Sequence, residues 1–195
     1  MKSRGRPATT PIKFMNGFYL ETTSFPPKLI LAILPPALII ISIFLLPAGK
    51  KFLENASLSA LTIIHITRIL VETCLWFLFM HKTIPRLMTF EGRNFDILSG
   101  ISAPFVWYYA FIKRTMSRKL LIAWNLFCLA LVLNVVIHGI LAAPSVFQKL
   151  AFDQPNVAVL YFPFIWLPAF VVPVVIFSHL VCLKHLFFKK DFFKA

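Results

Sequence analysis

The chain has 195 residues, 59% of them hydrophobic, a mean hydropathy of +0.82 and a net charge of +13. A soluble domain carries about half apolar residues, so this composition points away from a water-soluble globular enzyme and toward a single integral membrane domain. The basic excess lies between and beyond the apolar runs, with no zinc-finger spacing and no basic helix leading into a zipper. It is therefore expected to set membrane topology and meet anionic lipid headgroups, not nucleic acid.

In chain order, residues 1–27 read as a polar, basic tail with Lys2, Arg4, Arg6 and Lys13, broken by Pro7 and Pro11. The first apolar run starts too late for a signal peptide, so the first span is expected to be a retained signal anchor. Residues 28–186 read as the transmembrane domain and 187–195 as a basic-aromatic tail. A helix needs about 20 apolar residues to cross the hydrocarbon. Five segments approach that length: Leu29–Leu46, Leu58–Met80, Ile97–Ile112, Leu120–Leu141 and Val157–Leu183. Backbone polar groups in lipid must be satisfied internally, and the alternation of a membrane barrel is absent. The expected fold is thus all-α: a polytopic transmembrane helical bundle of about five spans. Pro35 and Pro36 are expected to kink the first helix, and Pro163, Pro168 and Pro173 the fifth. Cys74, Cys128 and Cys182 each fall inside an apolar run, where a free thiol acts as a small hydrophobe.

Five spans place the termini on opposite sides. One side carries Lys50, Lys51, Lys113, Arg114, Arg118, Lys119, Lys184 and the lysines of the C-terminal tail. The other carries Lys82, Arg86, Arg93, Lys149 and the N-terminal tail. The denser set is expected in the cytoplasm, with the C-terminus inside and a bacterial-type cytoplasmic membrane as the compartment. Trp107, Tyr108, Tyr109 and Trp124 are expected in an interfacial aromatic belt on that side.

The second span carries Thr62, His65, Arg68 and Glu72. At about 100° per residue, His65, Arg68 and Glu72 share one face. A central Arg costs about 2.5–3.5 kcal/mol on insertion scales, so the stripe is expected to look inward, with Glu72 at i+4 as the nearest partner of Arg68. Asn134 and His138 share a face of the fourth span, and Ser178 and His179 close the fifth. His65, Arg68, Glu72, Asn134 and His138 or His179 can form one polar core. Such a core either lines a ligand or ion site or holds helices together.

The most polar loop, His81–Asp96, reads HKTIPRLMTFEGRNFD. Pro85 stops the preceding helix, Glu91-Gly92-Arg93-Asn94 is a turn signal, and Asp96 is placed to cap the third helix. Arg86, Arg93 and Lys82 suit an anionic group, and Glu91 with Asp96 an acid–base pair; a solvated turn is the plainer alternative. No nucleophile elbow, zinc-protease helix or phosphate-binding loop is present, and no metal site is expected. His65 with His179, and His81 with His138, sit at two depths and are a conceivable pair of haem levels. With only 6 glycines there is little to admit a macrocycle, and no cofactor is the expectation. His185 is expected in solvent.

These features are expected to make the protein a binder or translocator of a small polar or charged species. His65, Arg68, Glu72, Asn134 and His138 would form the site, and Arg86, Glu91, Arg93 and Asp96 its mouth. A membrane-embedded redox or lipid-modifying enzyme using quinone or haem is one alternative. A structural subunit contacting a membrane protein partner, or a second copy of itself, is the other.

Overall fold

The computed structural model describes residues 18–22 and 24–188. The expectations placed on the basic residues of the N-terminal tail, and on Lys189, Lys190, Asp191 and Lys194, lie outside the described residues. Among the described residues every regular element is helical. The principal ones are α1 (Ile30–Leu45), α2 (Pro47–Glu54), α3 (Leu58–Met80), α4 (Ile97–Ile112), α5 (Arg118–Ala142) and α6 (Leu167–Phe188).

Three of these, α3, α5 and α6, are long and apolar enough to cross a membrane; α1 and α2 pass the same test together as a pair bent by 85°. Alone, the 16 residues of α1 reach about 24 Å against about 30 Å of hydrocarbon. The helix α4 is apolar but short.

Local chemistry explains most boundaries. Ser57 and Ser117, both extended, cap α3 and α5 by accepting the amides of Ala60 and Leu120, which satisfies orphan donors at a helix start. The bend between α1 and α2 falls at Leu46, whose extended backbone is what a following proline imposes. Pro47 then takes the first turn of α2, where its missing N–H costs nothing. Gly49 sits so close to the Ile43 carbonyl that any Cβ there would clash with it. The expected kink at Pro35 and Pro36 is thus not the sharp one. The α-helix runs on through both prolines, and the sharp turn comes about a helical turn after Ser42.

The fifth apolar run is helical only from Leu167, not from Val157. Its first ten residues belong to the loops: the amides of Val157 and Ala158 both donate to the Thr83 carbonyl, and that of Asn156 to Ala142. The first turn of α6, Leu167–Val171, is a π-turn between Pro168 and Pro173, and α4 ends in another, Tyr108–Ile112, just past Pro104. A proline removes a donor from the ladder, and a π-turn is a common way to re-register the bonds around it. At its other end α6 continues through Phe187 and Phe188, beyond the expected boundary at 186.

The helices alternate in direction. One buried cluster joins Leu58 at the start of α3, Ala110 at the end of α4, Leu121 at the start of α5 and Leu186 at the end of α6. At this basic end His185 Nε2 donates to the Leu53 carbonyl at 2.7 Å; His185 is buried, not solvated. At the opposite, loop end, Leu78 meets Met88 and Ala158, and Ala143 meets Val159 and Leu29. Large apolar side chains face outward along the bundle, among them Leu38, Leu70, Phe105, Phe127 and Phe170. A soluble monomer rarely presents so extensive an apolar surface.

The closest helix contact is α4 on α3. A Cβ on Gly100 would lie 2.8 Å from Ile69 Cγ1, 3.0 Å from the Ile69 amide nitrogen and 3.3 Å from Arg68 Cβ. Gly100→Val is therefore expected to force the two helices apart and cost about 1–3 kcal/mol, the usual cost of overpacking. Thermal or denaturant unfolding of the purified chain in mild detergent measures it; an unchanged midpoint would contradict the contact.

Candidate functional site

The face of α3 that carries Thr62, His65, Arg68 and Glu72 is buried to within 2% of full burial along its length. Helix periodicity puts these side chains in a row, and α4, α5 and α6 cover it. Arg68 is the largest fully buried side chain in the fold. Its Nε lies 3.0 Å from Asp96 Oδ2, and its Nη2 donates to the Cys128 carbonyl on α5 at 3.5 Å.

Arg68 therefore pairs with Asp96, not with Glu72 as the i+4 spacing suggested. The close seat of Gly100 on Arg68 and Ile69 brings the N-terminus of α4 directly to the guanidinium. Asp96 occupies the cap position of α4 but makes no capping hydrogen bond with its side chain; its carboxylate is turned to Arg68. Glu72 is held instead by Asn94, whose Nδ2 donates to both carboxylate oxygens at 2.7 and 2.8 Å and to the Met88 carbonyl at 3.0 Å. Asn94 Oδ1 in turn accepts the Asp96 amide at 3.0 Å. One asparagine thus ties the loop, α3 and the start of α4 together.

The loop His81–Asp96 is consequently more than a solvated turn. Ile84, Met88, Thr89, Asn94 and Asp96 are buried, whereas His81, Lys82, Arg86, Glu91 and Arg93 are exposed. Glu91 accepts Trp76 Nε1 at 2.8 Å, so it does not meet Asp96 as an acid–base partner. Asn134 Nδ2 donates to the Arg93 carbonyl at 2.8 Å, and His138 Nδ1 donates to the Asn134 carbonyl at 2.8 Å. Asn134 and His138 therefore brace the loop from α5 and do not touch Arg68. Of the expected mouth residues, Asp96 alone reaches the core.

Toward the basic end the stripe continues into a ring stack. His65 and His179 lie face to face with centroids 4.0 Å apart and planes 12° from parallel, and Trp124 meets both edge-on. His179 Nδ1 donates to Asn125 Oδ1 at 3.0 Å, and Asn125 Nδ2 to the Leu121 carbonyl. Trp124 donates to Ser102 and Trp107 to Ser59, so both indoles serve interhelical contacts, while Tyr108 and Tyr109 face outward. Axial haem ligation requires two nitrogens aimed at one iron. Rings stacked in contact aim theirs sideways, so His65 and His179 do not fit a shared haem. Among the described residues no group of three or more His, Cys, Asp or Glu side chains is arranged to hold a metal ion.

Beside the stripe lies a cavity of about 330 Å³ between α1, α3, α5 and α6. Its walls are aliphatic, including Ile33, Ile40, Leu75, Val136 and Val172, and its polar contributors are Glu72, Asp96 and Asn156. The sequence alone did not single out Asn94, Asn125 or Asn156. All three are fully buried, yet in the sequence each is a lone asparagine whose role depends on partners far along the chain.

Fold and site together define a helical protein with membrane-length apolar helices and a sealed polar core. A family model described as a domain of unknown function, DUF8737, matches residues 25–187, and the chain belongs to that family. The match covers α1 to α6 almost entirely, including the polar core and the buried loop. No curated protein and no solved structure matches the chain.

If Asn94 is the tie, Asn94→Ala should leave Glu72 without its donor and free the loop. Leaving a buried acceptor unsatisfied costs about 1–3 kcal/mol, more for a charged group. The expected result is a lowered unfolding midpoint together with faster proteolysis between residues 82 and 95. Loss of stability without altered cleavage in that loop would separate Asn94 from the role assigned to it.

Proposed function

We propose that the chain is a five-pass helical membrane protein that binds a small amphiphile in the cavity beside Glu72 and Asp96. The observation that carries this reading is the cavity itself: an apolar chamber of about 330 Å³ with two buried carboxylates and an amide on its wall. That size and mixture, mostly aliphatic with a few placed polar groups, is typical of ligand sites.

Five passes are supported by the alternating helix directions and by the outward-facing apolar side chains. In this reading α1 and α4 cross despite their length, with α2 turned along the interface so that Lys50 and Lys51 meet headgroups. The basic end carries Lys50, Lys51, Lys113, Arg114, Arg118, Lys119 and Lys184 among the described residues; by the positive-inside rule it faces the cytoplasm and anionic lipid. The burial of His65, Arg68 and Glu72 favours holding a ligand over conducting one through the bundle, so binding rather than translocation is the activity proposed.

Two measurements test this. Single cysteines introduced as Lys51→Cys or Lys113→Cys, with Cys74, Cys128 and Cys182 replaced by Ala, should react with an impermeant maleimide only from the cytoplasmic side. Lys149→Cys and Asp153→Cys should react only from the other; same-side labelling of all four would overturn the five-pass topology. Native mass spectrometry of the protein released from mild detergent should show a bound amphiphile that Val136→Trp, which fills the cavity, removes. A correctly folded wild-type chain that emerges without any adduct would contradict the binding role.

A further inference from the structure

The polar atoms that the cavity offers are acceptors. Asp96 Oδ1 and Asn156 Oδ1 are buried without a hydrogen-bond partner, and both residues line the chamber. Asn156 is 1% exposed and Asp96 6%. The donors nearby are committed elsewhere. Asn156 Nδ2 is directed to the Gly139 carbonyl at 3.4 Å, and Asn94 Nδ2 serves Glu72 and Met88. Arg68, the one cation of the core, does not line the cavity; it stands on the far side of Asp96.

Buried acceptors without donors are costly, at about 1–3 kcal/mol each. Two independent ones facing a single chamber define the ligand's complement. The charge points the same way. Glu72 and Asp96 together face one guanidinium, so the core carries one carboxylate more than it has cations, and a carboxylate buried in a low-dielectric setting demands a counter-charge or a donor. We infer that the cavity takes an amphiphile whose head is a primary ammonium, its N–H groups donating to Asp96 Oδ1, Asn156 Oδ1 and the Glu72 carboxylate, with its aliphatic body among Ile33, Val136 and Val172. An ammonium offers three donors and one positive charge, matching the three acceptor groups and the excess carboxylate. This inference deepens the binding role proposed above and rests on it.

The test uses the full chain in nanodiscs of phosphatidylcholine and a dodecylamine carrying a terminal diazirine as the probe. Photolysis should place label on peptides that contain Val132–Val136 and Val172–Ile176. Unlabelled dodecylamine should compete about tenfold better than dodecanol, and better still than dodecanoate, as expected when one head satisfies a buried charge and the others do not. Glu72→Gln keeps the shape and an acceptor for Asn94, and Asn156→Ala leaves the ion pair alone. Each should narrow the amine's advantage while labelling persists, so the inference does not depend on Asp96 variants, which risk unfolding. Equal competition by the amine, the alcohol and the carboxylate, at a site that Val136→Trp still abolishes, would overturn the head-group assignment and leave the cavity's binding role standing. No labelling of these peptides by the probe, and no other adduct in the cavity, would overturn both.

Discussion

A guanidinium buried among apolar helices has to find an anion, and the rest of this structure is arranged around how Arg68 does so. The partner comes from outside its own helix. Asp96 reaches it because α4 begins there, and α4 can begin there because Gly100 lets the two backbones close. The loop before α4 must then turn inward, so Asn94 occupies the space beside Glu72 instead of facing water. Each link is short-range and chemically ordinary. Together they draw a segment that composition would place at the surface into the centre of the fold.

The same arrangement shapes the chamber next to it. Because Arg68 engages Asp96 from one side, the opposite side of that carboxylate is free to face the cavity, with Glu72 and Asn156 nearby. Aliphatic residues from α1, α3, α5 and α6 provide the remaining walls. A polar core built only to hold helices together would be expected to close on itself. In this one, acceptor oxygens stay open toward an apolar space, which is the physical ground for proposing a bound amphiphile and for reading its head as a donor.

Much of the helix layout was legible in the sequence because hydropathy and periodicity report burial against an apolar medium directly. The bounds of α3 and α4 coincide with their apolar runs, and those of α1 and α5 nearly so. The fifth run misled because hydropathy is blind to where amides bond: Val157–Trp166 is greasy but its backbone is spent on Thr83 and the loop end. The short α2 was missed because Pro47, Gly49 and two lysines read as a loop. The inward stripe of His65, Arg68 and Glu72 followed from 100° spacing. Its partners did not, since Asp96, Asn94, Asn125 and Asn156 are joined to it by folding and not by proximity along the chain. The i+4 rule nominated Glu72 for Arg68 because local spacing was the sole geometry in hand.

DUF8737 is thus represented here by a chain whose α1 to α6 enclose one sealed ion pair and one apolar chamber. The asymmetry of charge between the ends, the bent α1–α2 pair and the buried loop are all consistent with a single way of lying in a bilayer. Of these features the Arg68–Asp96 pair is the most consequential, because it fixes the loop, the register of α4 and the open face of the carboxylate at once.

The most direct test of that claim is a double-mutant cycle on Arg68→Leu and Asp96→Leu, read as unfolding free energy in detergent or bicelles. Each single change should strand a buried charge and cost about 3–5 kcal/mol. The double change removes both charges and should cost far less than the sum, so the coupling is large and favourable. Costs that simply add, or an Arg68→Leu chain as stable as the wild type, would show that the guanidinium and the carboxylate do not depend on each other and would contradict the account.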